Sequence, residues 1–190
     1  MSTARRYHHT YADYRRLEGE SPLKLEYSDG EIFAMAGGTP EHGALAMQFV
    51  RLISAALPPT RTVHSSDVKV RVSASDLATY PDVSIVSGPA AYAVDDPNAI
   101  TNPRFIVEVT SPSTEDYDRG DKLSQYKQLA SLEAVFLVSH RTKRVTVVSR
   151  SGARWDEREL RAGERVECSD AIAFDVDDLY AVAASVTTSP

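Results

Sequence analysis

Two stretches decide the fold, TYPDVSIV at residues 79–86 and RFIVEVTS at residues 104–111. Strand alternation puts Tyr80, Asp82 and Ser84 on one face of the first and Pro81, Val83 and Ile85 on the other. It groups Ile106, Glu108 and Thr110 against Phe105, Val107 and Val109 in the second, which is apolar enough for a central strand apart from Glu108. A buried carboxylate without a partner costs several kcal/mol, so such a group is protonated, paired with a cation or bound to metal. Two strands of one sheet, each with an acid on its polar face, can hold one hard cation between Asp82 and Glu108. Mg²⁺ is commonly held by one or two carboxylates plus water and phosphate oxygens. Taken singly, each acid has an ordinary reading: Asp82 as a turn or capping residue, Glu108 as the partner of a basic side chain.

The next helix candidate, DKLSQYKQLA at 121–130, sharpens this. Lys122 and Tyr126 are four apart and share a face, with Gln125 and Leu129 beside them. A lysine in the first turn is disfavoured by the positive end of the helix, so an anionic partner is expected; Glu108 is one candidate, and Asp118 and Asp121 are others.

Upstream, Thr10 can cap a helix over YADYRRLE, residues 11–18. Asp29-Gly30 suits the tight turn of a hairpin between KLEYS (24–28) and EIFAMA (31–36), which makes Glu31 the opening residue of the second strand. EHGALAMQFVRLISAAL, residues 41–57, has apolar residues at helical spacing and stops before Pro58-Pro59. Strands are expected at RTVHS (61–65) and VKVRV (68–72), and a Pro- and Asp-rich loop precedes RFIVEVTS. Downstream, a polar segment covers 112–120, a hairpin joins AVFLVS (134–139) to RVTVVS (144–149), and edge strands lead to a last short helix beginning near Asp175. The order predicts an α/β, or α+β, fold in which a mixed sheet is flanked by helices and carries additional β-hairpins. A chain of 190 residues fits one domain. Its core is expected at about residues 11–150, with strands and a helix at about 151–184 and frayed termini.

Composition excludes several classes. Hydrophobic residues make up 42% and charged residues 25%, an ordinary globular balance. No apolar run is long enough to span a bilayer or serve as a signal peptide, so a cytoplasmic location without a membrane partner is expected. Cys168 is the single cysteine, which rules out an internal disulfide and reads as a small hydrophobe. The formal net charge of −6 argues against a non-specific nucleic-acid coat protein. It leaves room for an enzyme whose basic residues act locally. The basic clusters Arg5/Arg6 with His8/His9, Arg15/Arg16, Arg141/Lys143/Arg144 and Arg154/Arg158 are short and read singly as solvated faces.

YPDVSIV (80–86), then FIVEVTSPSTEDYDRGDKLSQYKQLA (105–130), then AVFLVS closely resembles the Uma-two family of restriction endonucleases, within the PD-(D/E)XK superfamily. LEYSDGEIFAMAGGTPEHGALAMQFVRLI (25–53) fits the amino-terminal half of that family, so the resemblance runs from about Tyr11 to Arg150. It implies a restriction-endonuclease-like fold and metal-dependent hydrolysis of DNA. The PD of the superfamily motif falls on Pro81-Asp82 and its second acid on Glu108. The motif's lysine position is Thr110, and the recurring lysine of the family corresponds to Lys122. Glu31 matches a further family acid, implied as a catalytic residue and third carboxylate. On this reading Asp82 and Glu108 bind Mg²⁺ or Mn²⁺ to activate water, Lys122 orients the nucleophile or offsets transition-state charge, and Tyr126 holds that lysine or a substrate phosphate. Glu41 and His42 match the PEHG string, but capping explains them and they stay outside the site. A nuclease that cuts both strands would suit a symmetric homodimer. Two other readings stay open: a non-catalytic regulatory or interaction domain that keeps the fold, and a metal-dependent hydrolase of another phosphodiester.

Overall fold

The computed structural model describes residues 8–35, 37–111, 115–168 and 172–181. Helix α1, Tyr11–Glu20, starts as expected: the Thr10 hydroxyl accepts from the Asp13 N–H at 3.1 Å while the Asp13 carboxylate accepts from the Thr10 N–H at 3.0 Å. This reciprocal box satisfies two of the free groups at the helix start. Strands β1 (Leu25–Ser28) and β2 (Glu31–Ala34) form the hairpin, with Asp29 at φ 46° and Gly30 at φ 85°. Both positive angles are those a two-residue turn of this kind demands. Helix α2 spans Pro40–Ser54, capped by Thr39.

The middle of the chain departs from the sequence expectation. Strands β3 (Arg61–Ser65) and β4 (Lys69–Val72) are followed by a short 3₁₀ turn and Asp76 at φ 53°. TYPDVSIV is then two strands rather than one: β5 (Leu77–Thr79) and β6 (Val83–Ser87) belong to different sheets. Pro81 explains the break, because it donates no ladder hydrogen bond. Asp82 therefore stands at the crossing from one sheet to the other. The stretch read as a loop carries β7 (Tyr92–Ala93) and β8 (Asp96–Ile100) before β9 (Pro103–Thr110).

The following helix begins six residues earlier than expected. It runs from α3 (Glu115–Tyr117) through a π-helical turn at Asp118–Lys122 into α4 (Leu123–Tyr126). Then come β10 (Ala134–Ser139), β11 (Arg144–Ser151), β12 (Arg154–Arg161), β13 (Arg165–Cys168), β14 (Ile172–Asp175) and α5 (Val176–Tyr180). The expected fraying of both ends falls on residues outside those described.

The strands make two six-stranded mixed sheets and a separate β13–β14 hairpin. The central sheet has the order β12-β11-β10-β9-β6-β3, with β9 and β10 parallel. The second has the order β2-β1-β5-β4-β8-β7. The architecture is thus α+β with mixed sheets, but two large sheets replace the single one expected. One face of the central sheet packs on α2, α5 and the β13–β14 hairpin through Phe49, Phe136, Phe174 and their neighbours. The Phe49 ring lies 5.2 Å from both Phe136 and Phe174, and each buried ring contributes roughly 1.5–3 kcal/mol. The other face, which bears Glu108, packs Ile106, Val135 and Leu137 against Leu123 and Tyr126 of α4 and against Val70 and Leu77 of the second sheet. Among the described residues no helix is long and apolar enough to cross a membrane.

Buried polar groups lock the second sheet. Lys69 lies between Glu18 and Asp96, and Asp96 accepts from it at 2.7 Å and from the Tyr11 hydroxyl at 2.9 Å. Glu18 also accepts from the hydroxyls of Tyr14 and Tyr80, both at 2.6 Å. Tyr80 is thereby fixed two residues before Asp82, so this network sets the crossing point.

Candidate functional site

Glu108 is 5% exposed, on the face of the strand pair β9–β10 that packs on α4 and beside Leu137. Two donors meet its Oε1: the Tyr126 hydroxyl at 2.6 Å and the Lys122 ammonium at 2.9 Å. Lys122, itself 5% exposed, also lies 3.6 Å from Glu26 and 3.8 Å from Asp118. Three carboxylates thus surround one ammonium. The π-helical turn that ends at Lys122 helps to bring it and Tyr126 onto the same oxygen, and such turns recur at functional sites.

Asp82 belongs to the same neighbourhood. Its Oδ2 accepts the backbone N–H of Val109, the residue after Glu108, at 2.7 Å, and lies 3.3 Å from His42 Nε2. His42 comes from the first turn of α2, where Thr39 accepts its backbone N–H at 3.3 Å. Gly38 allows this approach, since a Cβ there would lie 2.9 Å from His42 Nδ1. His140, just beyond β10, has Nδ1 3.3 Å from the Thr110 carbonyl oxygen. The centre therefore lies at the carboxyl ends of the parallel strands β9 and β10.

Electrostatics follow from crowding. Burial pushes the Glu108 carboxyl up to about 8, the ammonium of Lys122 opposes that rise, and the charges of Asp82 and Asp118 reinforce it. Burial would lower the Lys122 pKa, but Glu108, Tyr126, Glu26 and Asp118 together hold it well above its usual value. Burial and the neighbouring Glu108 charge likewise raise Tyr126. The bond to Asp82 raises the His42 imidazole above its usual value against the effect of burial, with help from the Val109 carbonyl and Glu108.

The donor chemistry fits a hard divalent cation. Among the described residues every bond to Glu108 falls on Oε1 and every bond to Asp82 on Oδ2. Glu108 Oε2 and Asp82 Oδ1 remain as two carboxylate oxygens, the ligand type Mg²⁺ and Mn²⁺ prefer. Among the described residues no three His, Cys, Asp or Glu side chains form a metal-binding group. Two protein carboxylates with water and phosphate oxygens would suffice for Mg²⁺. The Thr110 hydroxyl, at the motif's lysine position, is buried on the Glu108 side and has no hydrogen-bond partner among the described residues. The Lys122 ammonium reaches Glu108 from the helix.

Of the residues singled out in the sequence, Lys122 and Tyr126 meet at Glu108, and Asp82 binds the adjoining backbone. Glu31 opens β2 opposite Ser28, and Glu26 pairs with Phe33, so alternation gives Glu31 and Glu26 the same face of the second sheet. Glu31 lies about 7 Å farther along the hairpin than Glu26. The side-chain amide of Gln125 donates to Ser28 on that face at 3.0 Å, which ties α4 to the hairpin.

Sequence reasoning missed Glu26. It is 9% exposed, accepts from the Thr79 hydroxyl and, at 3.3 Å, from the Tyr80 N–H, and so joins the second sheet to Lys122. The alternation of LEYS sets Glu26 apart from Leu25 and Tyr27, but a lone acid on a hairpin's polar face ordinarily faces water. Capping accounts for only the backbone of His42, which does serve the cap, while its ring turns to Asp82.

The fold has a solved counterpart. A crystal structure described as "a putative nuclease belonging to DUF820", from Anabaena variabilis, matches with a TM-score of 0.72 at 16% identity, over 90% of this chain and 96% of that one. That likeness is one of fold. Two proteins of Synechocystis sp., both described as uncharacterized, are similar along most of their length. One is 32% identical over 171 residues, covering 88% of this chain and 89% of the relative. The other is 29% identical over 160 residues, covering 83% and 90%. Residues 11–183 match the Uma2 family, described as "Putative restriction endonuclease", and the chain belongs to that family.

Proposed function

We propose that this protein is a divalent-metal-dependent endonuclease that hydrolyses phosphodiester bonds in DNA. The observation that carries the reading is the pair of acids at the carboxyl ends of β9 and β10, each with one oxygen bonded and one left over, beside a buried ammonium. Family membership supports the nuclease chemistry.

Asp82 and Glu108 would hold Mg²⁺ or Mn²⁺ through Oδ1 and Oε2. Bound there, the ion would lower the pKa of a coordinated water and offset charge on the phosphate. Lys122, held by Glu108, Glu26 and Asp118, brings a fixed positive charge to a site sheltered from water, where it stabilises developing negative charge on the phosphate oxygens. Tyr126 holds the Glu108 carboxylate through Oε1 and so orients Oε2. Val109 N–H and His42 do the same for Asp82, orienting Oδ1.

The test is cleavage of supercoiled plasmid with Mg²⁺ or Mn²⁺ by the parent, Asp82→Ala and Glu108→Ala, alongside Mn²⁺ binding by calorimetry. Metal-dependent nicking that disappears in both variants, with Mn²⁺ affinity lost in parallel, is expected. Nicking that survives both substitutions would refute the assignment. One observation favours a second reading, a non-catalytic domain that keeps the fold: the contact of Lys122 with Glu108 satisfies that acid without a metal. A parent protein that neither binds Mn²⁺ nor cuts any phosphodiester would leave that reading in place.

A further inference from the structure

DNA is a polyanion and this protein has a formal net charge of −6, so binding must come from particular cations rather than from the surface as a whole. Most of the cations among the described residues are already engaged. Lys24 meets Asp67, Lys143 meets Asp177, and Arg144 and Arg119 share Glu115. Arg165 meets Asp175, and Arg150 donates to three backbone carbonyls. Among the described residues the guanidinium groups of Arg141, Arg154 and Arg158 make no hydrogen bond, ion pair or ring contact.

Strand register separates these three. Arg154 pairs with Ser151 at the end of the β11–β12 hairpin nearest the start of β10, so it lies at the opposite end of the sheet from the acids. Arg158 stands in the row Arg158–Val147–Phe136–Val107, on the face that packs against α2, with its back to Glu108. Arg141 is different. It sits on the turn between β10 and β11, two residues past Ser139, which pairs with Thr110 at the end of β9. The turn is fastened there by the His140 N–H, which donates to the Thr110 carbonyl at 3.2 Å. Arg141 is exposed. It lies four positions after Leu137, the neighbour of Glu108, a reach of at most about 13 Å if the strand ran on. One strand of duplex presents a phosphate about every 3.4 Å of axis, so that reach spans about four phosphates.

We infer that Arg141 binds a backbone phosphate of a DNA strand lying across the carboxyl ends of β9 and β10, within about four phosphates of the bond to be cut. The inference rests on the nuclease reading and adds to it the side from which the substrate is held. A guanidinium suits the task because its planar fork grips phosphate oxygens in pairs. The unspent cations on the wrong end and the wrong face serve as controls, since each carries the same charge in a position this geometry excludes.

The experiment is fluorescence anisotropy of a short labelled DNA duplex with full-length parent, Arg141→Ala and Arg154→Ala, in EDTA to prevent cleavage, over a salt series that starts low. Arg141→Ala should bind about fivefold to tenfold more weakly, and its salt dependence should flatten by about 0.9 in the slope of log K against log salt, the value of one lost phosphate contact. Arg154→Ala should stay within about twofold of the parent. Circular dichroism should be unchanged for both, because neither side chain has a partner among the described residues. Equal effects of the two substitutions, or none from Arg141→Ala, would overturn the inference while leaving the nuclease reading intact. A parent that binds neither duplex nor single strand at low salt, with Ca²⁺ in place of EDTA as well as without it, would overturn both.

Discussion

Replacing Lys122 by methionine keeps the length and apolar stem of the side chain and removes its charge. Glu108 then loses the neighbouring cation that restrains its carboxyl pKa, while burial, Asp82 and Asp118 continue to push it up. A carboxyl raised to about 8 binds its proton more tightly in the folded chain than in the unfolded one. Its contribution to stability is therefore complete below the unfolded value of about 4.3 and is lost as pH rises to about 8, where the parent levels off. In Lys122→Met the folded value lies higher still, so stability keeps falling above that pH. At pH 6 Glu108 carries its proton in both proteins, so the difference there comes from Glu26 and Asp118, which lose the same ammonium, and is smaller than at high pH. At pH 9 the variant faces either an unpaired buried carboxylate or a proton taken up against the solution pH. Breaking a buried ion pair by removing one partner costs about 3–5 kcal/mol. For a chain of this size each kcal/mol moves the Tm by about 2–4 °C, which makes the expected loss roughly 6–20 °C at pH 9. Thermal and urea unfolding of parent and variant from pH 6 to 9 measure it. A loss that is the same at both ends of that range would refute this account of the Glu108 environment.

Glu26→Gln keeps the shape of a residue that bridges the second sheet to Lys122 but removes one of the charges holding the ammonium. Turnover should fall about tenfold, equivalent to about 1.4 kcal/mol, with Mn²⁺ affinity measured by calorimetry unchanged within about twofold. Gly38→Ala introduces a Cβ 2.9 Å from His42 Nδ1, too close to stay, and the expected outcome is that the ring shifts away from Asp82. The imidazole pKa, followed by NMR, should then drop toward its ordinary value, and an unchanged titration would show that the ring does not depend on Gly38. Phe49→Ala, at the contact of α2 with the central sheet, should cost about 3–5 kcal/mol in urea unfolding.

Much of this fold was legible wherever local chemistry decides the outcome. Asp29-Gly30 fixed the first hairpin because few dipeptides tolerate two positive φ angles. Thr10 and Asp13 specify a helix start through their own side chains. Glu108 stood out because an acid within an apolar strand needs a partner. Elements fixed by distant contacts were not legible. DPNAI, residues 96–100, has a poor strand composition, yet it joins the second sheet where Asp96 meets Lys69 and Tyr11 from other elements. TYPDVSIV gave no sign that its two halves enter different sheets, although Pro81 marked where a ladder would fail. Glu26 and His42 looked like a solvated acid and a capping neighbour, since nothing in their flanking residues reveals what lies across the fold.

The π-helical turn at Asp118–Lys122 is a helix with one residue to spare. Deleting Gly120 would let that turn relax to ordinary α geometry and relieve the poorer hydrogen bonding of the wide turn. The same deletion would rotate everything before it by about 100° relative to Tyr126. Asp118 and the Glu115–Arg119–Arg144 ion pairs would then face away from the partners they now hold. A chain shortened by one residue here could fold well and still lose its chemistry, so insertions and deletions among natural variants should avoid these five positions even where substitutions are tolerated.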